Sequence, residues 1–289
     1  MTRRGRRVRT FAVALTTIAA LVTSAVTVSA VAAPEAVAAG DPTTGSSTPG
    51  SPTSGSATSG SATTGGPRGS RTVPAGCNVA ATAADGSTPL ARCYAVGRAA
   101  DHGGLAQRTA GPLPGSLGPS EIKSAYALPD GGDGRTVAIV DAFGYQNAES
   151  DLAVFRAHYG LSPCTTDNGC FRKVDQRGGT DYPQEDAGWS IETALDLDAV
   201  SSACPDCHIL LVQADSNSSP NLGQAVDIAA SLGAVAISNS YGIDGELPFE
   251  TYYDHYYDHP GIAVTVSSGD LGNVQSYPAT SPNVVSVGG

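Results

Sequence analysis

The sequence predicts an α/β protein built on a parallel sheet with helices on both faces. Three observations carry this. Short β-branched apolar runs recur from residue 135 onward, helical patterns separate them, and turn-forming residues punctuate the junctions. Runs that are apolar throughout fit strands buried on both sides. The composition, 40% hydrophobic and 15% charged, is that of a globular chain diluted by a flexible stretch.

The elements follow in order. Ser120 and Glu121 open a short helix reaching Leu128. Residues 135–140 (RTVAIV) predict a strand, and 147–159 an amphipathic helix carrying Leu152, Val154 and Phe155. A helix over 189–202 leads to a strand at 208–212 (HILLV). A helix over 221–232 leads to a strand at 234–238 (AVAIS). A helix over 248–259 and strands at 262–267 and 284–287 complete the pattern.

The region before these elements is different in kind. Arg3, Arg4, Arg6, Arg7 and Arg9, an apolar run from Phe11 to Val22, and small residues near Ala30, Ala33 and Ala38 predict a secretory signal peptide over 1–38. An uncleaved anchor is the competing reading, but the apolar core is short and interrupted by Thr16 and Thr17. Residues 39–71 form a Gly/Ser/Thr/Pro-rich linker. Residues 72–111 are a short cysteine-containing segment with too few apolar residues for a core of its own, and 112–289 carry the regular pattern.

The net charge of −11 argues against nucleic acid and anionic membranes as partners, and removing the five arginines makes the remainder more acidic still. Six cysteines suit an oxidising, extracellular compartment. Short loops cost the least entropy to close, which favours the pairs Cys77–Cys93, Cys164–Cys170 and Cys204–Cys207 among the 15 possible connectivities. The Cys-Pro-Asp-Cys stretch could instead be redox-active or hold zinc, but only His208 lies beside it as a further ligand.

Polar residues fall at strand ends, where parallel sheets gather their ligands. Asp141 follows RTVAIV, Ser240 and Tyr241 follow AVAIS, and Asp270 follows the strand over 262–267. In G-W-S-I-E-T-A-L-D-L-D, Glu192 and Asp196 are four apart, so a helix stacks them on one face. Two stacked carboxylates repel, and one holds its proton to higher pH. On its own such a pair also fits an ordinary solvated face. Tyr252 to His259 repeats Tyr-Tyr-Asp-His and puts His255 and His259 on one face. Metal binding competes there with a plain amphipathic helix.

Taken together and in order, the Glu192–Asp196 helix, S-N-S-Y-G (Ser238–Gly242), S-S-G-D-L-G-N (Ser267–Asn273) and Y-P-A-T-S-P-N-V-V-S-V-G-G from Tyr277 resemble the sedolisin, or serine-carboxyl peptidase, family. The resemblance spans 112–289. It implies a subtilisin-like parallel sheet represented by the N-terminal part of a catalytic domain, so that the sheet is incomplete at the C-terminus. It further implies a secreted endopeptidase acting on peptide or protein substrates in acid. Glu192 would be the general base, Asp196 its support and Asp270 the oxyanion donor. Asp141 would play a supporting role, and Ser240, Tyr241 and Gly242 would bind substrate. The chemistry is self-consistent. A serine hydroxyl needs a base, and an Asp donates to an oxyanion only while protonated.

Subtilisin itself uses a histidine base in an H-G-T context, which none of His102, His158, His208, His255 and His259 has. The nucleophile motif G-T-S does not occur in these residues, and the family's calcium site would lie beyond Gly289. The short region before residue 112 makes inhibition by a folded propeptide doubtful. A chain without its nucleophile is expected to be inactive. This leaves a non-catalytic secreted peptide-binding module as the alternative, with a wall-spanning structural protein resting on the linker alone.

Overall fold

The computed structural model describes residues 72–74, 76, 77, 88–98, 115–132, 134–245, 248 and 250–288. The expected signal peptide (1–38) and linker (39–71) lie outside these residues. Three short strands come first: β1 (Thr72–Pro74), β2 (Arg92–Cys93) and β3 (Val96–Arg98). They are followed by α1 (Pro119–Ala125), β4 (Thr136–Ala142), α2 (Ala148–His158), β5 (Phe171–Asp175) and α3 (Ala187–Ala203). Next come β6 (His208–Ala214), α4 (Ser219–Ser231), β7 (Ala236–Asn239) and β8 (Tyr241–Asp244). The single-turn α5 (Glu250–Tyr253), a 3-10 turn (Asp254–Tyr257), β9 (Ala263–Ser267), β10 (Ser276–Tyr277) and β11 (Val285–Val287) complete the described chain.

Six strands form one parallel sheet in the order β11-β9-β7-β4-β6-β5. The chain leaves the central β4 toward β5 and β6, then returns to build β7, β9 and β11 on the other side. The carboxyl ends of strands at such a reversal border a crevice into which loop residues converge. Beside it, β8 lies between β10 and β2 in a small antiparallel sheet.

The β-branched run of β4 explains its central place, and its alternation divides the core. Ala138 and Val140 join Leu210 and Val212 of β6 and Leu222 and Val226 of α4 on one face. Val137 and Ile139 join Ile209 and Leu211 with Leu152, Leu197 and Val200 of α2 and α3 on the other. Fully burying one such side chain stabilises the fold by about 1.5–3 kcal/mol, so a one-residue slip of β4 is strongly disfavoured. Asp141 has the parity of Val137 and Ile139, and the register therefore aims it at the α3 face.

Helix α3 is buried almost throughout, including Glu192, Asp196 and Asp198. It starts where Asp186 accepts a hydrogen bond from the Trp189 N–H at 3.0 Å, a side-chain cap of the first turn. Two residues later Gly188 lies against the Cys77 backbone, and a Cβ there would come within 2.6 Å of the Cys77 nitrogen. The sequence thus allows the cysteine segment to press directly on the head of the helix.

The three short-range disulfides are formed: Cys77–Cys93, Cys164–Cys170 and Cys204–Cys207, with Cα separations of 5.6, 4.8 and 5.4 Å. Two expectations are corrected. The helix over 248–259 is only the single turn α5 followed by a 3-10 turn. The first predicted helix stops at Ala125, and Ala127 just beyond it has a left-handed φ of 49°. No helix among the described residues is long and apolar enough to cross a membrane.

Candidate active site

Three carboxyl groups meet where β4 ends against α3. Asp141, Glu192 and Asp196 are each no more than 1% exposed. Glu192 accepts two backbone hydrogen bonds at Oε2, from Tyr94 N–H at 3.0 Å and Ala95 N–H at 2.7 Å. Asp196 Oδ1 accepts from the Ser240 hydroxyl at 2.8 Å. The other Asp196 oxygen and both Asp141 oxygens have no protein partner. Gln213, opposite Asp141 in the β4–β6 register, is likewise buried with neither amide atom bonded.

Burial dominates the electrostatics of this cluster. It pushes Asp141 up to about 7, with a small opposing pull from the nearby Thr193 hydroxyl, whose own hydrogen bond goes to the Trp189 carbonyl at 2.9 Å. Burial and then the Asp141 charge push Glu192 well above the usual carboxylate range, and the amides of Ala95 and Tyr94 oppose them. Asp196 is raised by burial and by the charges of Asp141 and Glu192, with the Ser240 hydroxyl opposing. Three carboxyls this close and this dry titrate as a unit that keeps protons well above pH 4.

Asp270 stands apart from this dry cluster. It is exposed, in the turn after β9 where Gly269 has φ +89°. Burial raises its carboxyl, Arg92 pulls it down and Asp244 pushes it up. Its charge also raises Glu192, as the last and smallest of the influences on that group.

The three expected substrate residues divide by chemistry. Ser240 spends its hydroxyl on Asp196. Tyr241 is buried, its hydroxyl donates to Asn239 Oδ1 at 2.9 Å, and its main chain lies opposite Cys93 of β2. Gly242 lies in β8 opposite Arg92 of β2. Strand β2, which pairs here through Arg92 and Cys93, and the residues flanking it were not foreseen as part of the site. Its signal was the alternation Ala91, Cys93, Ala95, small residues that are all buried.

Metal chemistry finds little support in these residues. His255 Nδ1 bonds the Tyr252 carbonyl and His259 pairs with Asp227 at 3.1 Å. Among the described residues, the group of potential ligand atoms within 4.8 Å of one another is Cys77, Cys93 and Glu192, and both sulfurs are spent in a disulfide.

No protein-family model and no curated protein matches the chain. Solved structures do match. A Pseudomonas sedolisin, a serine-carboxyl proteinase complexed with two molecules of pseudo-iodotyrostatin, aligns with a TM-score of 0.51 at 24% identity, over 60% of this chain and 53% of that one. A lanthipeptide protease aligns with a TM-score of 0.41 at 18% identity, over 58% and 52% of the two chains. Fervidolysin from Fervidobacterium pennivorans, related to subtilisin, gives 0.34 at 16%, over 54% and 24%. The chain spans about half the length of the sedolisin it resembles. The likeness is one of fold: this is a mixed α/β protein whose six-stranded parallel sheet and flanking helices resemble those of the sedolisin.

Proposed function

We propose that this chain carries the acid–base half of a secreted serine-carboxyl endopeptidase site. Glu192 takes the proton of a serine nucleophile, Asp196 holds and tunes Glu192, and protonated Asp270 donates to the oxyanion. Asp141 supports the pair by keeping a proton within the cluster. The observation that carries the reading is the convergence of Asp141, Glu192 and Asp196, all buried, at one strand end beside β8. Because Asp270 donates to the oxyanion only while protonated, and burial raises its carboxyl, the matching chemistry belongs to acid conditions. Secretion is consistent with the three disulfides.

No serine of the 289 residues sits in a G-T-S motif, so the nucleophile is assigned to sequence outside them. Losing the serine of a comparable triad costs on the order of a million-fold in rate. The 289-residue chain should therefore show no Glu192-dependent hydrolysis of denatured casein between pH 3 and pH 7. Reading the coding DNA past Gly289 should reveal G-T-S, and the extended product should cleave casein in acid and lose this on Glu192→Ala. Glu192-dependent cleavage by the 289-residue chain would show the nucleophile to be misplaced. Full activity of an extended Glu192→Ala protein would sink the mechanism.

One observation favours a second reading, a non-catalytic peptide-binding protein. Strand β8 already accepts an extended segment, β2, through antiparallel pairing, and that function needs no nucleophile. A stop codon directly after Gly289 with a stable soluble product would select it.

A further inference from the structure

We infer that Cys77, Cys93 and Glu192 form a binding site for a divalent cation of the zinc class once the Cys77–Cys93 bridge is reduced. The ligand set stands on geometry alone. Its consequence for catalysis, the capture of the candidate base, rests on the peptidase reading.

Three fixed elements supply the ligands. Glu192 lies on α3, and Cys93 ends β2 opposite Tyr241 of β8. Cys77 lies against the head of α3, where a Cβ on Gly188 would come within 2.6 Å of its nitrogen. All three residues are at most 4% exposed. The two sulfurs and a carboxylate oxygen of Glu192 lie within 4.8 Å of one another. Zinc bonds of about 2.3 Å to sulfur and 2.0–2.2 Å to oxygen set tetrahedral ligand atoms about 3.5–3.8 Å apart. The carboxylate therefore needs to move by no more than about 1 Å. The sulfurs reach their places by turning apart about Cα–Cβ once the bond between them is broken, with the Cα atoms left at 5.6 Å. Glu192 Oε2 accepts from the Tyr94 and Ala95 N–H groups at 3.0 and 2.7 Å, and outer contacts of this kind aim a carboxylate ligand. Two thiolates with one carboxylate suit zinc, whereas calcium and magnesium take oxygen alone. Three protein ligands leave the fourth position to a water. Among the described residues, neither Cys164–Cys170 nor Cys204–Cys207 has a third Asp, Glu or His ligand atom as near.

A dithiol reductant passes two electrons into the S–S bond, which yields two cysteine thiols while the reductant closes its own disulfide. The cation then displaces one proton from each thiol. With the ion in place a carboxylate oxygen of Glu192 is coordinated and cannot take the serine proton. An oxidised dithiol reverses both steps. It takes the two electrons back, the S–S bond re-forms, the ion leaves, and Glu192 is again free to accept a proton.

The test reads metal and not peptide cleavage, so its failure leaves the peptidase reading standing. The full chain is reduced with tris(2-carboxyethyl)phosphine and titrated with Co2+, then with Zn2+. The reduced chain should show saturable thiolate-to-cobalt charge-transfer absorption that zinc displaces, and the oxidised chain should show none. X-ray absorption at the zinc edge should find two sulfurs and lighter ligands in the remaining positions. Cys77→Ala/Cys93→Ala should abolish the absorption, Glu192→Gln should weaken affinity at least about tenfold, and Cys204→Ala/Cys207→Ala should leave it unchanged. Absorption from the oxidised chain, a zinc shell of four sulfurs, unchanged affinity in Glu192→Gln, or loss of binding in a folded Cys204→Ala/Cys207→Ala chain each overturns the inference. So does a reduced full chain that binds no cobalt, whether folded or not. The zinc-edge spectrum is read on the unaltered sequence, so variants that fail to fold do not remove the test.

Discussion

Asp141 and Asp175 occupy equivalent places, each at the carboxyl end of a strand in the same sheet and each at most 1% exposed. Their chemistry is opposite. For Asp175, burial pushes the carboxyl up, but the N–H groups of Arg177, Asp181 and Gly179 and the Arg177 charge together outweigh it and hold the group low. For Asp141 no backbone N–H plays that part, the Thr193 hydroxyl opposes burial only in part, and burial lifts the group to about 7. Asp175 is covered by its own loop, whose turn at Gly178 (φ +79°) aims amides inward. Asp141 is covered by α3, whose amides are already spent within the helix. Exposure alone therefore does not set the state of a carboxyl group. The supply of donors does, and in this molecule it separates a group that closes a loop from one that stores a proton.

The largest test of this contrast is Asp175→Ala. It leaves three amides without their acceptor and should cost about 3–5 kcal/mol at pH 7 by urea unfolding. The sign with pH follows from the depressed carboxyl. Its stabilisation is present above the unfolded value near 4 and is lost as pH falls through the folded value, so the cost should shrink in strong acid. A cost below about 1 kcal/mol at pH 7 would break the contrast.

Asp141→Asn should act in the other direction. A carboxyl raised from 3.8 to about 7 makes the folded chain lose stability as pH rises between those values. Asn removes that loss, so the variant should gain about 2 kcal/mol at pH 7 and almost nothing at pH 4. That is roughly half of the isolated-group value, because Glu192 and Asp196 share the protons. Equal effects at the two pH values would show that Asp141 is not the proton store. The smallest effect is that of Ser240→Ala. It removes the one hydroxyl that opposes the rise of Asp196, costs about 1 kcal/mol, and should move Asp196 titration upward in side-chain carboxyl NMR. A downward movement would refute the role given to that hydroxyl.

The central strands were legible because they are apolar on both faces, as in RTVAIV and HILLV. Strand β5, Phe171–Asp175, was missed because Arg172 and Lys173 interrupt the run, which an edge strand tolerates. The stacking of Glu192 and Asp196 followed from helical period alone. Tyr94 and Ala95 did not, since they stand 98 and 97 residues from the carboxylate they bond and local patterning carries no information at that distance. The same holds for Gln213, whose place beside Asp141 is a matter of sheet register. The helix expected over 248–259 failed because aromatic spacing does not distinguish one long helix from a turn and a half that packs on its neighbours. Tyr256 there lies against Gly223 of α4, where a side chain would collide with its ring.

Trp189 gives the molecule an optical readout of its own. It is the single tryptophan of the chain, so its emission has one source. The indole sits three residues before Glu192 at 1% exposure, between the rings of Phe143 and Tyr241 at 6.3 and 6.4 Å, with its N–H unbonded to protein. Water reaching the head of α3 would shift the wavelength of that emission whether or not the rest of the sheet had melted. Fluorescence of the unlabelled protein would then follow the hydration of the carboxyl cluster, while circular dichroism follows the sheet and helices as a whole.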